Sequence, residues 1–178
     1  MLAKMRHFVN TDVLQNLYYG IFHSIMNYGS QIWGQLENAH IKRIIKLNDK
    51  AVRTINFAHY RDSASQYYKK SNILKFQDNI SINNYSLIHD HFSNHLPSAL
   101  LNKYEYIHNG HNHPTKLSNS FCVKVPKSRT LDYGIYSIQG QASRTWNHYH
   151  TSLIDKKLHL LSRTSCKNII KTHILNSY

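Results

Sequence analysis

Residues 11–34 read TDVLQNLYYGIFHSIMNYGSQIWG, and they combine a long apolar face of helical spacing with an ending rich in aromatic residues and glycine. Apolar side chains recur at steps of three and four residues, which places them on one broad stripe of an α-helix. The stripe comprises Val13, Leu14, Leu17, Tyr18, Ile21, Phe22, Ile25, Tyr28 and Ile32. Thr11 is expected to cap the N-terminus of this helix. Gly29 and Gly34 predict a bend or a close backbone approach where Trp33 turns inward.

The composition indicates a folded and strongly basic chain. Of its 178 residues, 41% are hydrophobic and 12% aromatic, which is enough to build a core. There are 22 Lys and Arg residues against 9 Asp and Glu, and the formal net charge is +13. Such a surface predicts a polyanionic partner, nucleic acid first and an anionic membrane second. The sequence has no run of about 18 apolar residues, so no segment is expected to span a bilayer.

The location of the chain is predicted from its N-terminus and its cysteines. The first residues lack the order of basic, apolar and small residues that a secretory signal needs. Cys122 and Cys166 are too few to make a disulfide framework. We therefore expect a reducing intracellular compartment, which means the nucleus, the cytoplasm or both.

Helical periodicity predicts a mainly α protein. A second helix is expected over residues 37–56, a short one over 64–70, and a third long one from Phe76 to the stop at Leu96–Pro97. Ser137 and Ser162 are expected to cap two further helices.

The residue composition and the helical periodicity of the sequence change after Pro97. Residues 98–119 are rich in Asn, His, Gly and Tyr and are interpreted as a linker. Residues 120–126, SFCVKVP, alternate as a half-buried strand would. The sequence thus predicts a helical, thumb-like bundle over residues 1–97 and a smaller α+β or irregular extension over 120–178, with a short strand or hairpin.

The second predicted helix carries a row of cations. They are Lys42, Arg43, Lys46, Lys50 and Arg53, and Asp49 is the one acidic residue among them. Neighbouring members of the row lie about one turn apart on a helix. A solvated charged face and a phosphate-binding face both fit this pattern.

Further cations follow the predicted strand. Residues 96–178 hold 11 basic and 3 acidic residues. Lys127, Arg129 and Arg144 stand beside hydroxyl and aromatic residues in VPKSRT and GQASRTWN. Ordinary loop composition explains this mixture, and so does phosphate contact with base stacking.

No catalytic or metal-binding residue is predicted. The sequence lacks a GxSxG motif and a P-loop, and none of its nine carboxylates is adjacent to another. Three His-x-His pairs occur, namely His89 with His91, His111 with His113, and His148 with His150. On a helix the members of such a pair point about 200° apart. Only the loop pair His111 and His113 leaves a zinc-binding module open as an interpretation.

Several segments together resemble one protein family. LYYGIFHSIMNYGSQIWG, residues 17–34, resembles the segment after the polymerase palm in reverse transcriptases of non-LTR retrotransposons of the LINE-like, jockey or CR1 type. IIKLNDKAVRTINFA, residues 44–58, and SNILKFQD, residues 71–78, match later segments of that family in the same order. The remaining landmarks are Leu96–Pro97, Thr115, Pro126, Arg129, Thr130 and Thr145-Trp146-Asn147. The resemblance covers essentially the full chain, although Asn48 and Asp49 stand where the family usually has Gln and Lys.

The resemblance implies a thumb and C-terminal extension without the catalytic palm. The aromatic-x-Asp-Asp motif is missing from the chain. The magnesium-binding carboxylates are therefore expected upstream of Met1, and no cofactor is expected in this chain. RNA, DNA and the missing palm and fingers are the implied partners, with the template–primer duplex on the basic helix. In a second interpretation the chain is only a structural or protein-interaction module, whose apolar stripes over 11–34 and 76–92 drive self-association.

Overall fold

The computed structural model describes residues 2–34, 39–98, 103–107, 121–127, 129–130, 136–153 and 156–178. These ranges are mainly helical, as the sequence predicts. The α-helices are α1 Leu2–Met5, α2 Thr11–Leu17, α3 Ser24–Asn27, α4 Ser30–Trp33, α5 Ala39–Ile55, α6 Ser65–Lys70, α7 Phe76–Phe92, α8 Ile138–Ser152 and α9 Arg163–Asn176. A π-helix, Tyr18–His23, joins α2 to α3, and a 3₁₀ helix, Leu158–Leu160, precedes α9. Within the described ranges, no helix combines the length and the apolar character that crossing a membrane requires.

The chain divides into two compact units. The first unit comprises residues 1–80 and 172–178, and the second comprises residues 81–171. Helices α7 and α9 contribute residues to both units. Most of the predicted linker, residues 98–119, lies outside the described ranges, so the predicted division at this linker stays a prediction.

The cap of α2 lies one residue earlier than predicted. Asn10 has an extended backbone, and its Oδ1 accepts a hydrogen bond from the Val13 amide at 3.0 Å. Thr11, the predicted cap, is instead the first helical residue. Asn is a strong N-cap residue because its side-chain oxygen satisfies an otherwise unpaired amide of the first turn. Asp12 lies in that first turn, as expected.

The apolar stripe of residues 11–34 is not buried as a whole. Leu14, Tyr18 and Met26 are buried. The exposed members of the stripe are Val13, Ile21, Ile25, Tyr28 and Ile32. The π-helix Tyr18–His23, which has more residues per turn than an α-helix, interrupts the α-helical spacing of the stripe. The predicted apolar stripe is therefore buried only in part.

The glycine and tryptophan ending behaves as predicted. Gly29 has φ +63°, a left-handed conformation that glycine adopts without strain and that ends the helix before α4. At Gly34 a Cβ atom would lie 2.4 Å from the Ser30 carbonyl oxygen and 2.5 Å from Ile80 Cδ1. The Trp33 ring stacks on Phe76 with its centroid 5.6 Å away. Both expectations, the bend and the close approach, are confirmed.

The core of the first unit contains a polar chain. Its apolar part comprises Leu14, Tyr18, Ala51, Val52, Ile55, Ala64, Tyr68 and Ile73. The Tyr18 hydroxyl donates to Asn48 Oδ1 at 2.8 Å, and Asn48 Nδ2 donates to the Tyr68 hydroxyl at 3.0 Å. The Tyr68 hydroxyl in turn donates to Asp49 Oδ1 at 2.7 Å. The Asn48 amide and both tyrosine hydroxyl groups are thus paired, which removes the cost of leaving them unsatisfied. Two of the positions at which the sequence departs from the pattern that it resembles, Asn48 and Asp49, are members of this hydrogen-bonded chain.

The second unit packs around aromatic rings of α7 and α8. Tyr85 stacks on Trp146 with their centroids 4.6 Å apart, and the Tyr85 hydroxyl lies 3.2 Å from His150 Nε2. Trp146 Nε1 donates to the Phe121 carbonyl oxygen at 2.9 Å. The predicted caps of α8 and α9 are confirmed, because Ser137 Oγ accepts from the Gly140 amide and Ser162 Oγ from the Ser165 amide.

The predicted strand over residues 120–126 is absent from its described part. Val123 forms an isolated antiparallel bridge with Tyr106. Phe121 has φ +53° and is exposed, whereas Cys122 and Val123 are both buried, so the expected alternation is lost at Phe121 and Cys122. The Asn147 side chain binds both the amide and the carbonyl of Val123, at 2.7 and 2.8 Å. A side-chain amide therefore occupies the edge at which a second strand would pair.

Candidate functional site

Helix α5 presents one buried and one cationic side. Its buried residues are Ile41, Asn48, Ala51, Val52, Thr54 and Ile55. Lys42, Arg43, Lys46 and Lys50 are exposed, and Arg53 is half-buried. With 3.6 residues per turn, these five cations fall within an arc of about 100° around the helix. The structure thus brings all five predicted residues of this helix onto one side, as expected from the sequence.

In the part of the chain that the structure describes, the cations of α5 form no ion pair with a carboxylate. Across the described ranges, the ion pair found is Arg163 with Asp90 at 3.2 Å, and both residues belong to the second unit. Asp49, the acidic residue of α5, accepts a hydrogen bond from Tyr68 and forms no ion pair in those ranges. The positive charge of this helix side is therefore available to an external anion.

An aromatic and cationic turn lies next to the end of α5, and sequence reasoning missed it. Arg53 Nη1 donates to the Asp62 carbonyl oxygen at 3.5 Å, which joins the helix to the turn His59–Arg61. The Tyr60 side chain is 70% exposed. The Arg61 guanidinium lies 5.3 Å from the Tyr60 ring centroid, and Arg61 Nε donates to the Tyr60 hydroxyl. The signal in the sequence is the tetrapeptide HYRD between two predicted helices, in which an aromatic residue directly precedes an arginine.

The other three predicted site residues belong to the second unit. Lys127 and Arg129 are exposed. Arg144 is half-buried in the middle of α8 and has contacts within the protein. Among the predicted residues, those of α5 therefore form the most coherent cationic surface.

The histidine pairs do not converge on a metal site in the described part of the chain. His89 Nε2 lies 2.9 Å from the Leu161 carbonyl oxygen, whereas His91 Nε2 lies 3.1 Å from that of Tyr104. His148 is exposed and His150 is buried. Groups of three or more His, Cys, Asp or Glu side chains that could hold a metal ion are not found in the described ranges. The loop pair, His111 and His113, lies outside those ranges.

Burial controls the titration of the second unit's interior groups. Burial, reinforced by His159 and His89, lowers the pKa of His150 to about 4. Burial also raises the pKa of the Cys166 thiol, whose Sγ donates to the Leu158 carbonyl oxygen at 3.1 Å. A thiol with a raised pKa is a poor nucleophile, because the reactive form is the thiolate. These groups therefore fit a structural role.

Comparison with known proteins returns no match to a protein-family model, a curated protein or a solved structure. The functional interpretation therefore comes from the charge and geometry of the chain itself and from its motif resemblance.

Proposed function

We propose that this chain is the nucleic-acid-binding, non-catalytic part of a retrotransposon reverse transcriptase, and that it binds an RNA or DNA template–primer duplex. The observation that carries the proposal is the side of α5 with five cations, none of which forms an ion pair within the described ranges. The order of the sequence motifs supports the same parentage. The catalytic magnesium ions would belong to a palm outside this chain, and the site of action is the nucleus or the cytoplasm.

The charge arrangement suits a duplex backbone. Lysine supplies point charges, and arginine can bind two phosphate oxygens at once. Each phosphate that the protein neutralises releases condensed counterions, which gives sequence-independent affinity. Because Lys42, Arg43, Lys46 and Lys50 are already exposed, phosphate binding at α5 needs no rearrangement of the core.

The turn His59–Arg61 adds a stacking group to this surface. Exposed aromatic rings bind unpaired bases of any sequence, and base stacking contributes roughly 1–3 kcal/mol per base. Tyr60 therefore suits a single-stranded template segment next to the duplex. We expect Tyr60→Ala to weaken the binding of a hybrid with a single-stranded overhang more than that of a blunt hybrid. Fluorescence anisotropy measures both affinities. An equal loss of affinity for the two hybrids would show that Tyr60 does not stack on the single-stranded overhang.

Two charge-matched double variants test the proposal. Lys42→Gln/Lys46→Gln removes two cations from α5, and Lys69→Gln/Lys70→Gln removes two exposed cations from the end of α6 in the same unit. We expect the α5 variant to weaken binding to a labelled RNA–DNA hybrid by roughly tenfold or more at low salt, and the α6 variant to weaken it much less. If both variants lose the same affinity, binding reflects net charge alone and the assigned site is wrong.

A protein-interaction module is the second candidate function. It is favoured by the exposed apolar residues Ile25, Tyr28 and Ile32, which are 71%, 85% and 69% exposed. Large apolar side chains grouped in one segment are typical of surfaces that another protein covers. If this candidate is correct, sedimentation velocity will show association that increases with protein concentration. A compact monomer at all concentrations would count against self-association.

A further inference from the structure

An apolar groove runs along α5 in the first unit. It has a volume of about 530 Å³ and is lined by α1, by residues of the segment 17–33 and by one side of α5. The lining is apolar apart from Lys50 and Thr54, and it contains no carboxylate. Ile21 and Ile25 contribute to the lining from one side and Leu47 from α5. These three side chains are 43%, 71% and 53% exposed, so the groove is open to solvent.

The length of the groove fits a short helix. Its lining residues on α5 extend from Ile44 to Thr54, which is about 15 Å, or almost three turns, along the helix axis. An amphipathic helix binds such a groove by inserting apolar side chains at positions i, i+3 or i+4, and i+7. A small-molecule site would present several convergent polar groups, whereas this lining offers only Lys50 and Thr54.

The charge beside the groove selects the kind of helix. Lys50 lines the groove itself, and the exposed Arg43 and Lys46 lie on the adjoining arc of α5. Asp49 is the one acidic residue of α5, so the net charge of this helix stays positive. A second copy of this chain would bring the same basic edge and a charge of +13, and like charges repel across an interface. A partner helix with acidic residues beside its apolar stripe is complementary both to the cations and to the apolar lining of the groove.

We propose that the groove between residues 17–33 and α5 binds an amphipathic helix of a partner protein whose apolar stripe is flanked by acidic residues. The apolar floor of this groove gives phosphates no donor, whereas its cationic edge, Arg43, Lys46 and Lys50, is shared with the proposed duplex site. The cations Arg43, Lys46 and Lys50 orient the bound helix, and the apolar side chains of the groove supply most of the affinity.

A designed peptide tests this proposal on the full chain. The peptide is a labelled 18-residue helix with leucine at positions i, i+3, i+4 and i+7 and glutamate on both flanks. A scrambled peptide of the same composition and a version with lysine flanks are the controls. We expect the glutamate-flanked peptide to bind, and the two control peptides to bind at least tenfold more weakly.

Three variants at uncharged residues test where the peptide binds while every cation is kept. Ile25→Gln and Leu47→Gln remove exposed apolar side chains from the groove, and Ile32→Gln removes one that is 69% exposed and outside it. We expect roughly tenfold weaker peptide binding from each groove variant and less than about a twofold change from Ile32→Gln. Thermal unfolding of each variant tests whether it remains folded. Because every cation is kept, the result is independent of duplex binding.

Four results would overturn the proposal. The first is peptide binding that is unaffected by Ile25→Gln and Leu47→Gln. The second is equal binding of the lysine-flanked peptide. The third is tighter binding to vesicles of phosphatidylserine and phosphatidylcholine that the same two variants abolish, which would assign the groove to a membrane surface. The fourth is a dimer of this chain that the groove variants dissociate.

Discussion

At the scale of single residues, the polar chain through Asn48 explains why an amide lies in an apolar core. Asn48 is fully buried and is hydrogen-bonded to two tyrosine hydroxyl groups. Burial raises the pKa of both tyrosines, so both hydroxyls stay protonated at neutral pH. Removing one partner of a buried hydrogen bond leaves the other unsatisfied, which costs more than the net value of the bond.

The first prediction concerns this amide. Asn48→Ala should lower the free energy of unfolding by roughly 2–3 kcal/mol, because the hydroxyl groups of Tyr18 and Tyr68 lose their shared partner. The control is Asn16→Ala on α2, where the side chain is exposed and a change within about 0.5 kcal/mol is expected. Urea unfolding of the three proteins measures both values. Equal stability of the two variants would contradict the role assigned to Asn48.

The second prediction concerns the protonation of His150. The pKa of its side chain is about 4 in the folded protein and 6.5 for an unperturbed histidine, so the unfolded chain takes up the proton first as the pH falls. The resulting stability is fully present above pH 6.5 and is lost as the pH falls toward 4. His150→Gln should therefore reduce the loss of unfolding free energy between pH 7 and pH 4.5 by roughly 2 kcal/mol.

The matched control for this pH experiment is His148→Gln. His148 lies on the same helix but is exposed, so its replacement should leave the pH dependence of stability unchanged. Chemical denaturation at several pH values provides the comparison. A pH profile of His150→Gln that coincides with that of the unmodified protein would show that His150 is accessible to protons in the folded state.

The exposure of single residues can be predicted from the sequence, whereas contacts between residues that are distant in the sequence cannot. The exposure of Lys42, Lys46 and Lys50 follows from helical periodicity, because the apolar positions of α5 fix which side faces the core. The tetrapeptide HYRD brings Tyr60 and Arg61 together, but the position of this turn beside α5 depends on the hydrogen bond from Arg53 to the Asp62 carbonyl oxygen, which the tetrapeptide does not predict. The tautomer-dependent contact between His150 and Tyr85 likewise joins residues 65 positions apart.

At the scale of secondary structure, local signals place the helices but not their irregularities. The Ser137 and Ser162 caps and the apolar periods of α5 and α7 are local, and the predictions from them hold. The π-helix Tyr18–His23 inserts extra residues into a turn, and a three- and four-residue pattern does not reveal this. The predicted strand is reduced to one bridge between Tyr106 and Val123, and Phe121, with φ +53°, is not in the extended conformation.

The third prediction compares two glycines of the segment 11–34. Gly34→Ala should destabilise the protein by roughly 1–3 kcal/mol, because the new methyl group would lie 2.4 Å from the Ser30 carbonyl oxygen. Gly20→Ala, in the π-helix, meets no atom within 4 Å and should stabilise by roughly 0.5–1 kcal/mol. Thermal unfolding monitored by circular dichroism measures both. A Gly34→Ala variant as stable as Gly20→Ala would show that the close approach relaxes at no cost.

At the scale of the whole molecule, the basic charge and the two units together define the proposed role. The formal charge of +13 supplies general attraction to polyanions, whereas the cations of α5, which form no ion pair within the described ranges, would supply the proposed local site. The neighbouring apolar groove gives the first unit a second kind of surface. The sequence predicts the charge and the helical class, but the groove depends on how Ile21 and Ile25 lie beside Leu47 of α5, which only the structure shows.

The most direct test of the central claim, that α5 binds the phosphates of a duplex, is the salt dependence of RNA–DNA hybrid binding. The account predicts that the logarithm of the association constant falls linearly with the logarithm of the salt concentration. The slope should be shallower by up to about 1.8 in Lys42→Gln/Lys46→Gln, since each phosphate contact contributes about 0.9. The slope for Lys69→Gln/Lys70→Gln should stay close to that of the unmodified chain. A flat salt dependence, or one slope shared by the unmodified chain and the α5 variant, would contradict the claim.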